Sequence, residues 1–190
     1  LLPALSKARE KARTISCTNN MKQVMLTLFM YAQDYEGLMP APWANTGWSR
    51  VLKDQGYIGD YKGVQCPVGK LEDTAAEGSQ SYGMWRTDTS STAVSHNLEK
   101  FTNPSSHPFL VDCLKQGTNA WRQTHYWDAW YSTSGCVALI HGDACNMSFL
   151  DGHVETWNRG KFTGFKTTGP TVGAFAIWSG TDAGGTQITF

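Results

Sequence analysis

Met21-Lys22-Gln23-Val24-Met25-Leu26-Thr27-Leu28-Phe29-Met30-Tyr31-Ala32-Gln33-Asp34-Tyr35 decides the fold. Met21, Val24, Met25, Leu28, Phe29, Ala32 and Tyr35 fall at three- and four-residue steps, the spacing of one apolar stripe on an amphipathic helix. Leu5, Ala8, Ala12 and Ile15 continue the stripe toward the start of the chain. Lys7, Arg9, Glu10, Lys11, Arg13, Lys22, Gln23 and Asp34 lie off it. Gly37 and Pro40 supply the stop. The spacing predicts a helix over 1–35, ~50 Å long at 1.5 Å per residue. One small domain cannot cover that length. The second half is expected to pack on the body. The first half is expected to project, with Leu1, Leu2, Leu5, Ala8, Ala12 and Ile15 packing on something else. Pro3 is expected to loosen or kink the first turns.

The strongest strand signal lies near the other end. Cys136–His141, Ala144–Leu150 and His153–Trp157 read as strands, with Asp151-Gly152 as a two-residue hairpin turn. Pairing outward from that turn sets Phe149 against Val154 and Met147 against Thr156 on a mostly apolar face. Leu150 against His153, Ser148 against Glu155 and Asn146 against Trp157 make a mostly polar one. This is the alternation of an antiparallel sheet with one buried side. Between helix and hairpin, 48–57 reads as a short helix with Val51 and Leu52 inward. A short extended piece at 63–67, a strand at 81–85 and a strand at 108–114 follow. The stretch 115–135 reads as a loop with an aromatic knot at His125, Tyr126, Trp127, Trp130 and Tyr131. The expected architecture is α+β: the helix of 1–35 laid on an antiparallel sheet belonging to a globular body over 36–190.

The 190 residues carry 16 basic and 16 acidic side chains, so no overall field points to nucleic acid or acidic substrates. Within 1–13, four basic residues face one acidic, a local net of +3 that leaves −3 on the remainder. The 19 glycines, 8 Trp, 7 Tyr and 8 Phe suit a β-rich, loop-rich body. No segment has the roughly eighteen apolar residues a membrane span needs, and no secretory cleavage site is visible. The chain opens on Leu1-Leu2-Pro3-Ala4-Leu5, without a helix cap, as if a helix were entered partway along. A preceding segment is therefore expected. Cys17, Cys66, Cys113, Cys136 and Cys145 form no CxxC pair and no zinc-finger spacing. A Cys136–Cys145 bridge is not expected, and at most one disulfide overall.

Several blocks resemble type IV pilin-like proteins. Leu1-Leu2-Pro3-Ala4-Leu5-Ser6-Lys7-Ala8-Arg9-Glu10-Lys11-Ala12-Arg13 is similar to the segment after their hydrophobic methylation stretch. Cys17-Thr18-Asn19-Asn20-Met21-Lys22-Gln23 and Tyr31-Ala32-Gln33-Asp34-Tyr35 continue it. His141 stands ten residues before Asp151-Gly152, the H-x9-DG signature of the prepilin-type proteins named for it. Cys66-Pro67, Ser81-Tyr82-Gly83-Met84 and Asn103-Pro104-Ser105 resemble that family's middle section. Residues 158–190 match nothing. The resemblance implies a non-catalytic subunit of a type II secretion pseudopilus or a type IV pilus-like filament. It also implies a methylated membrane helix before Leu1, anchorage in the inner membrane, and a body in the periplasm or outside the cell. The partners would be other pilin-like subunits, in a homo- or hetero-polymer.

Chemical motifs are sparse. His141, Asp143, Asp151 and His153 form a His/Asp cluster in sequence, but a strand of seven residues would hold His141 and Asp151 roughly 20 Å apart. Asp151 is expected to serve the turn, and His141 to cap a strand end or bond a buried carbonyl. No G-x-S-x-G or H-E-x-x-H stands in the chain, so no catalytic residue is assigned. Asp182, beside Thr181 and Gly184-Gly185, is the calcium candidate, because secretion pseudopilins often hold calcium in a loop. Exposed aromatics on a β body can stack on sugars, so a carbohydrate-binding or adhesive domain is the alternative, carried by Trp127, Trp130 and Tyr131.

Overall fold

The computed structural model describes residues 2–41, 47–69, 78–86, 95–116, 121–127, 135–163, 177–179 and 186–188. Helix α1 (Leu2–Asp34) forms as expected, but its apolar residues make two faces, not one stripe: Met21, Val24, Met25 and Leu28 are buried, while Leu5, Ala8, Ala12 and Ile15 lie on the opposite, exposed side with Leu26 and Met30. Pro3 lies inside α1, which runs unbroken from Leu2 to Asp34. At the other end Glu36 and Gly37 turn left-handed (φ 53 and 79), and the Gly37 N–H returns to the Ala32 carbonyl at 2.8 Å.

Two five-stranded sheets follow. The first has the order β5–β1–β2–β7–β8 and the second β10–β9–β6–β3–β4. Their strands are β1 (Gly83–Trp85), β2 (Pro108–Val111), β3 (Cys113–Gln116), β4 (Trp121–Gln123), β5 (Tyr126–Trp127), β6 (Cys136–Ala138), β7 (Ala144–Phe149), β8 (Val154–Asn158), β9 (Ile177–Ser179) and β10 (Thr186–Ile188). Most pairings are antiparallel; β1 with β5 and β6 with β9 run parallel, which makes both sheets mixed. Helix α2 (Trp48–Asp54) buries Trp48 and Leu52, and the five-residue α3 (Arg159–Thr163) follows β8. The fold is α+β, a long N-terminal helix on a sheet.

Several local expectations change. The stretch 63–67 is extended only in part: Lys62–Val64 is a 3-10 turn, and Gln65 after it is extended. The expected strand over 108–114 is two strands in different sheets, parted at Asp112. The segments 136–141 and 144–150 do not pair as a hairpin, since β6 pairs with β3 and β7 with β2. The β7–β8 hairpin is shifted by one residue. Met147 faces Glu155, Asn146 faces Thr156 and Cys145 faces Trp157. The cause is the turn. Gly152 sits at φ 89 and its N–H returns to the Phe149 carbonyl at 2.9 Å, so the loop holds three residues with the glycine at the left-handed position.

The first sheet is buried on both faces, against the expectation of one solvated side. Cys145, Met147, Phe149 and Trp157 join a core with Val111, Cys113, Val137 and Phe162. The opposite face meets α1, where Met21, Met25 and Leu28 pack with Leu110, Leu150 and Val154. Asn146 and Ser148, read as outward, point into this second interface. Ser148 Oγ accepts the Leu110 N–H at 3.1 Å, and Asn146 Oδ1 accepts the hydroxyls of Thr156 at 2.7 Å and Thr18 at 3.3 Å. Two polar residues can line a buried face because these acceptor atoms have partners.

Candidate functional site

Four segments distant in sequence meet where α1 first becomes buried against the body. Cys17 comes from α1, one turn before the buried Met21. Cys66 follows the 3-10 turn, in a segment held by Tyr82, whose hydroxyl lies 3.2 Å from the Gln65 carbonyl and 3.3 Å from that of Cys17. Asp112 is the step between the sheets: its N–H bonds the Asn146 carbonyl at 3.0 Å in β7, and its own carbonyl takes the Ala138 N–H at 2.8 Å in β6. His141 sits in the turn before β7, which closes through the His141 N–H and the Ala144 carbonyl at 2.9 Å. Gly142 and Asp143 in that turn are both left-handed, at φ 61 and 66.

The four side chains converge. Cys17 Sγ, Cys66 Sγ, a carboxylate oxygen of Asp112 and a ring nitrogen of His141 lie within 4.8 Å of one another, all buried. The Cys17 thiol is 3.3 Å from Asp112 Oδ1. His141 Nε2 is 3.3 Å from Cys66 Sγ and 3.3 Å from Asp112 Oδ2. The side chains of Asp112 and His141 have no solvent exposure. Around this centre, the Asn146 N–H donates to Asp112 Oδ2 at 2.7 Å and the Tyr82 hydroxyl to Cys17 Sγ at 3.4 Å. Thr14 Oγ1 stands 3.3 Å from His141 Nδ1. Its own hydrogen goes to the Glu10 carbonyl at 3.0 Å, so it accepts from His141 and leaves the proton on Nδ1.

Burial pulls the His141 imidazole down, but its hydrogen bonds with Asp112 and Cys66, and their charge, outweigh burial and push it up to about 10. Burial, with the bond to Cys66 and the Asp112 charge, pushes the Cys17 thiol far up. The bond from Cys17 and the contact with His141 hold Cys66 below the ordinary thiol range against its own burial. Of the two thiols, Cys66 is the readier to lose its proton. The set can therefore bury an imidazolium–carboxylate pair or offer two thiolates, one imidazole nitrogen and one carboxylate oxygen to a metal. It is not a nucleophilic triad: thiol and carboxylate both address Nε2, while Nδ1 goes to Thr14, so the carboxylate does not orient the ring from behind.

The signature residues part company. His141 joins the buried centre instead of capping a strand end. Asp151 and Gly152 are at the far end of β7, in the hairpin loop. Asp151 Oδ1 accepts the His153 N–H at 3.1 Å and also meets the His153 ring. A Cβ on Gly152 would meet Phe29 Cε2 at 2.9 Å, so the glycine also lets the loop close on α1. Along α1, Leu5, Ala8, Ala12 and Ile15 are exposed, as is every residue from 3 to 13. Leu2 opens the helix; Leu1 and the calcium candidate Asp182 lie outside the described residues.

The aromatic knot does not form a sugar platform where it is described. Trp127 is 1 % exposed with its indole N–H on the Phe109 carbonyl at 3.1 Å, and Tyr126 is buried. Trp130 and Tyr131 lie outside the described residues. Cys17, Cys66 and Asp112 were not expected beside His141. One signal for Asp112 was available: a carboxylate inside the apolar run Phe109-Leu110-Val111-Asp112-Cys113-Leu114 must be buried with a partner.

Residues 6–87 match the model of a family described as "Protein of unknown function (DUF1559)", found among prepilin- and pseudopilin-like bacterial proteins. The matched stretch includes the outer half of α1, Cys17 and Cys66, and stops short of Asp112 and His141. No curated protein and no solved structure matches the chain. Among the described residues, no helix is long and apolar enough to cross a membrane.

Proposed function

We propose that the protein is a non-catalytic, pilin-like subunit that assembles with other pilin-like subunits through the outer half of α1. The filament would be a type II secretion pseudopilus or a type IV pilus-like fibre. The body would sit in the periplasm or outside the cell, tied to the inner membrane by a helix leading into α1. One observation carries this reading: α1 keeps apolar side chains on the face turned away from its own core. Leu5 is 54 % exposed, Ile15 61 %, Leu26 63 % and Met30 59 %, on the opposite side of the helix from the fully buried Met21, Met25 and Leu28. A helix that keeps such an apolar face exposed has surface suited to another helix. The family match over 6–87 supports the reading, because it covers α1 from Ser6 onward.

The test uses the full-length protein in cells. Leu5→Lys and Ala12→Glu charge the outer stripe, and Glu99→Lys is the control on the exposed body surface. The first two are expected to abolish recovered filaments without lowering the melting temperature of the body, and the control to leave both intact. Normal filaments from the double variant would overturn the proposal.

A further inference from the structure

We propose that Cys17, Cys66, Asp112 and His141 form a closed structural site for a zinc-class divalent cation, which clamps α1 to the body where the helix leaves it. The first support is convergence. In a tetrahedral site with metal–sulfur distances of about 2.3 Å and metal–nitrogen and metal–oxygen distances of about 2.1 Å, neighbouring donors stand about 3.3–3.8 Å apart. Three contacts among these residues are 3.3 Å each, those of Asp112 running through Oδ1 to Cys17 and through Oδ2 to His141, and one donor atom from each of the four lies within 4.8 Å of the others. Sub-ångström shifts would bring them onto one ion.

The second support is donor chemistry. Two sulfurs, one imidazole nitrogen and one carboxylate oxygen are a borderline-soft set, which selects zinc over magnesium or calcium. The third is the ring of supporting bonds. Thr14 accepts the Nδ1–H, which leaves Nε2 as the ring nitrogen aimed at the centre. The Asn146 N–H fixes one carboxylate oxygen and the Tyr82 hydroxyl touches the Cys17 sulfur. Metal-binding histidines and carboxylates are held in this manner. Without a metal, the same residues bury an ion pair and two thiols, an arrangement that contributes little to stability.

Four protein donors fill a tetrahedral shell and all are buried, so no position is left for a substrate. The role is mechanical. Residues 3–13 are exposed, with Glu10 beside Gly142, and Thr14 and Cys17 make the polar contacts that tie α1 to the body. The ion would tie that exit point to the 66 loop, the step between the sheets and the turn before β7. On binding, the two thiols and the imidazolium release three protons to solvent. The resulting centre, with two thiolates, one carboxylate and one divalent ion, carries a net charge of −1.

The experiment takes the purified chain, measures metal content and intact mass without reductant, then strips the metal and reloads with cobalt(II). One zinc per chain is expected, with all five cysteines unbridged in the mass. The cobalt form should show thiolate charge-transfer bands and tetrahedral visible bands, which a merely buried thiol would not give. Asp112→Asn should shift those bands, and Thr14→Val should weaken metal affinity by about 10–100-fold. Cys136→Ala, outside the cluster, should keep the full metal content. Chelation should lower the melting temperature and speed amide exchange over 14–20. Metal at background with a native fold would overturn the proposal. So would a mass two hydrogens lighter that maps to a Cys17–Cys66 disulfide.

Discussion

The Cys17 thiol lies 3.3 Å from Asp112 Oδ1, and that contact joins the long helix to the residue at which the chain steps from one sheet into the other. The helix is therefore fastened at the seam of the body. From the seam onward one face of α1 is core; over residues 3–13 every residue is exposed. Filament proposal and metal proposal both start from that boundary, but neither depends on the other.

The two sides of α1 should respond very differently to truncation. Met25 is fully buried while its neighbour Leu26 is 63 % exposed. Met25→Ala is expected to cost about 2–5 kcal/mol, the range for removing a core side chain. Leu26→Ala should fall within about 0.5 kcal/mol of the parent. Urea unfolding of both variants checks this. Equal costs would mean the helix is rotated from the described position.

Gly152 carries two constraints at once, a left-handed φ of 89 and a Cβ position 2.9 Å from Phe29 Cε2. Gly152→Ala is expected to destabilise by about 1–3 kcal/mol, the usual size of backbone strain. Adding Phe29→Ala should recover only the steric share. A double-mutant cycle by denaturant unfolding separates the two. No coupling between the sites would show that the hairpin tip does not rest on α1.

His96 is buried among Trp85, Phe101 and Phe109, with Nε2 on the Trp85 carbonyl at 2.8 Å. Burial lowers its pKa more than that bond raises it. The unfolded chain then takes up a proton at a higher pH than the folded one. Stability should be fully present above about pH 6.5 and fall as the pH drops below it. His96→Phe should flatten this part of the stability–pH curve. An unchanged slope would mean His96 does not carry it.

Much of this was legible in the sequence, for identifiable reasons. The long helix was, because Met21, Val24, Met25 and Leu28 mark a buried helical face and no stop signal interrupts the chain after Pro3 until Gly37 and Pro40 end the run. The hairpin was, but its register was not: Asp151-Gly152 reads as a two-residue turn until Leu150 joins the loop and Gly152 takes the left-handed place. Sheet burial was misread at Asn146 and Ser148, since polar residues in a strand signal solvent unless their partners are known. The four-residue centre was illegible for a different reason. Cys17, Cys66 and His141 each stood out in a recognisable block, but spacings of 49, 46 and 29 residues between Cys17, Cys66, Asp112 and His141 carry no local signature. Only the crossing at Asp112 brings them together.

The outer half of α1 should exchange its amides readily in a monomer, with residues 3–13 opening well before 21–32. Native-state hydrogen exchange on the soluble chain reads this directly. Protection over 3–13 equal to that of the core would make the whole helix an internal element.

The most direct test of the filament reading is photo-crosslinking in cells, with a benzophenone side chain replacing Ala12 on the exposed stripe and, separately, Glu99 on the exposed body surface. The account predicts that illumination of the Ala12 variant gives a ladder of covalent oligomers joined through α1 of neighbouring subunits, while the Glu99 variant gives no α1-linked ladder. A monomer band alone from the Ala12 variant, in cells where filaments are recovered, would contradict it.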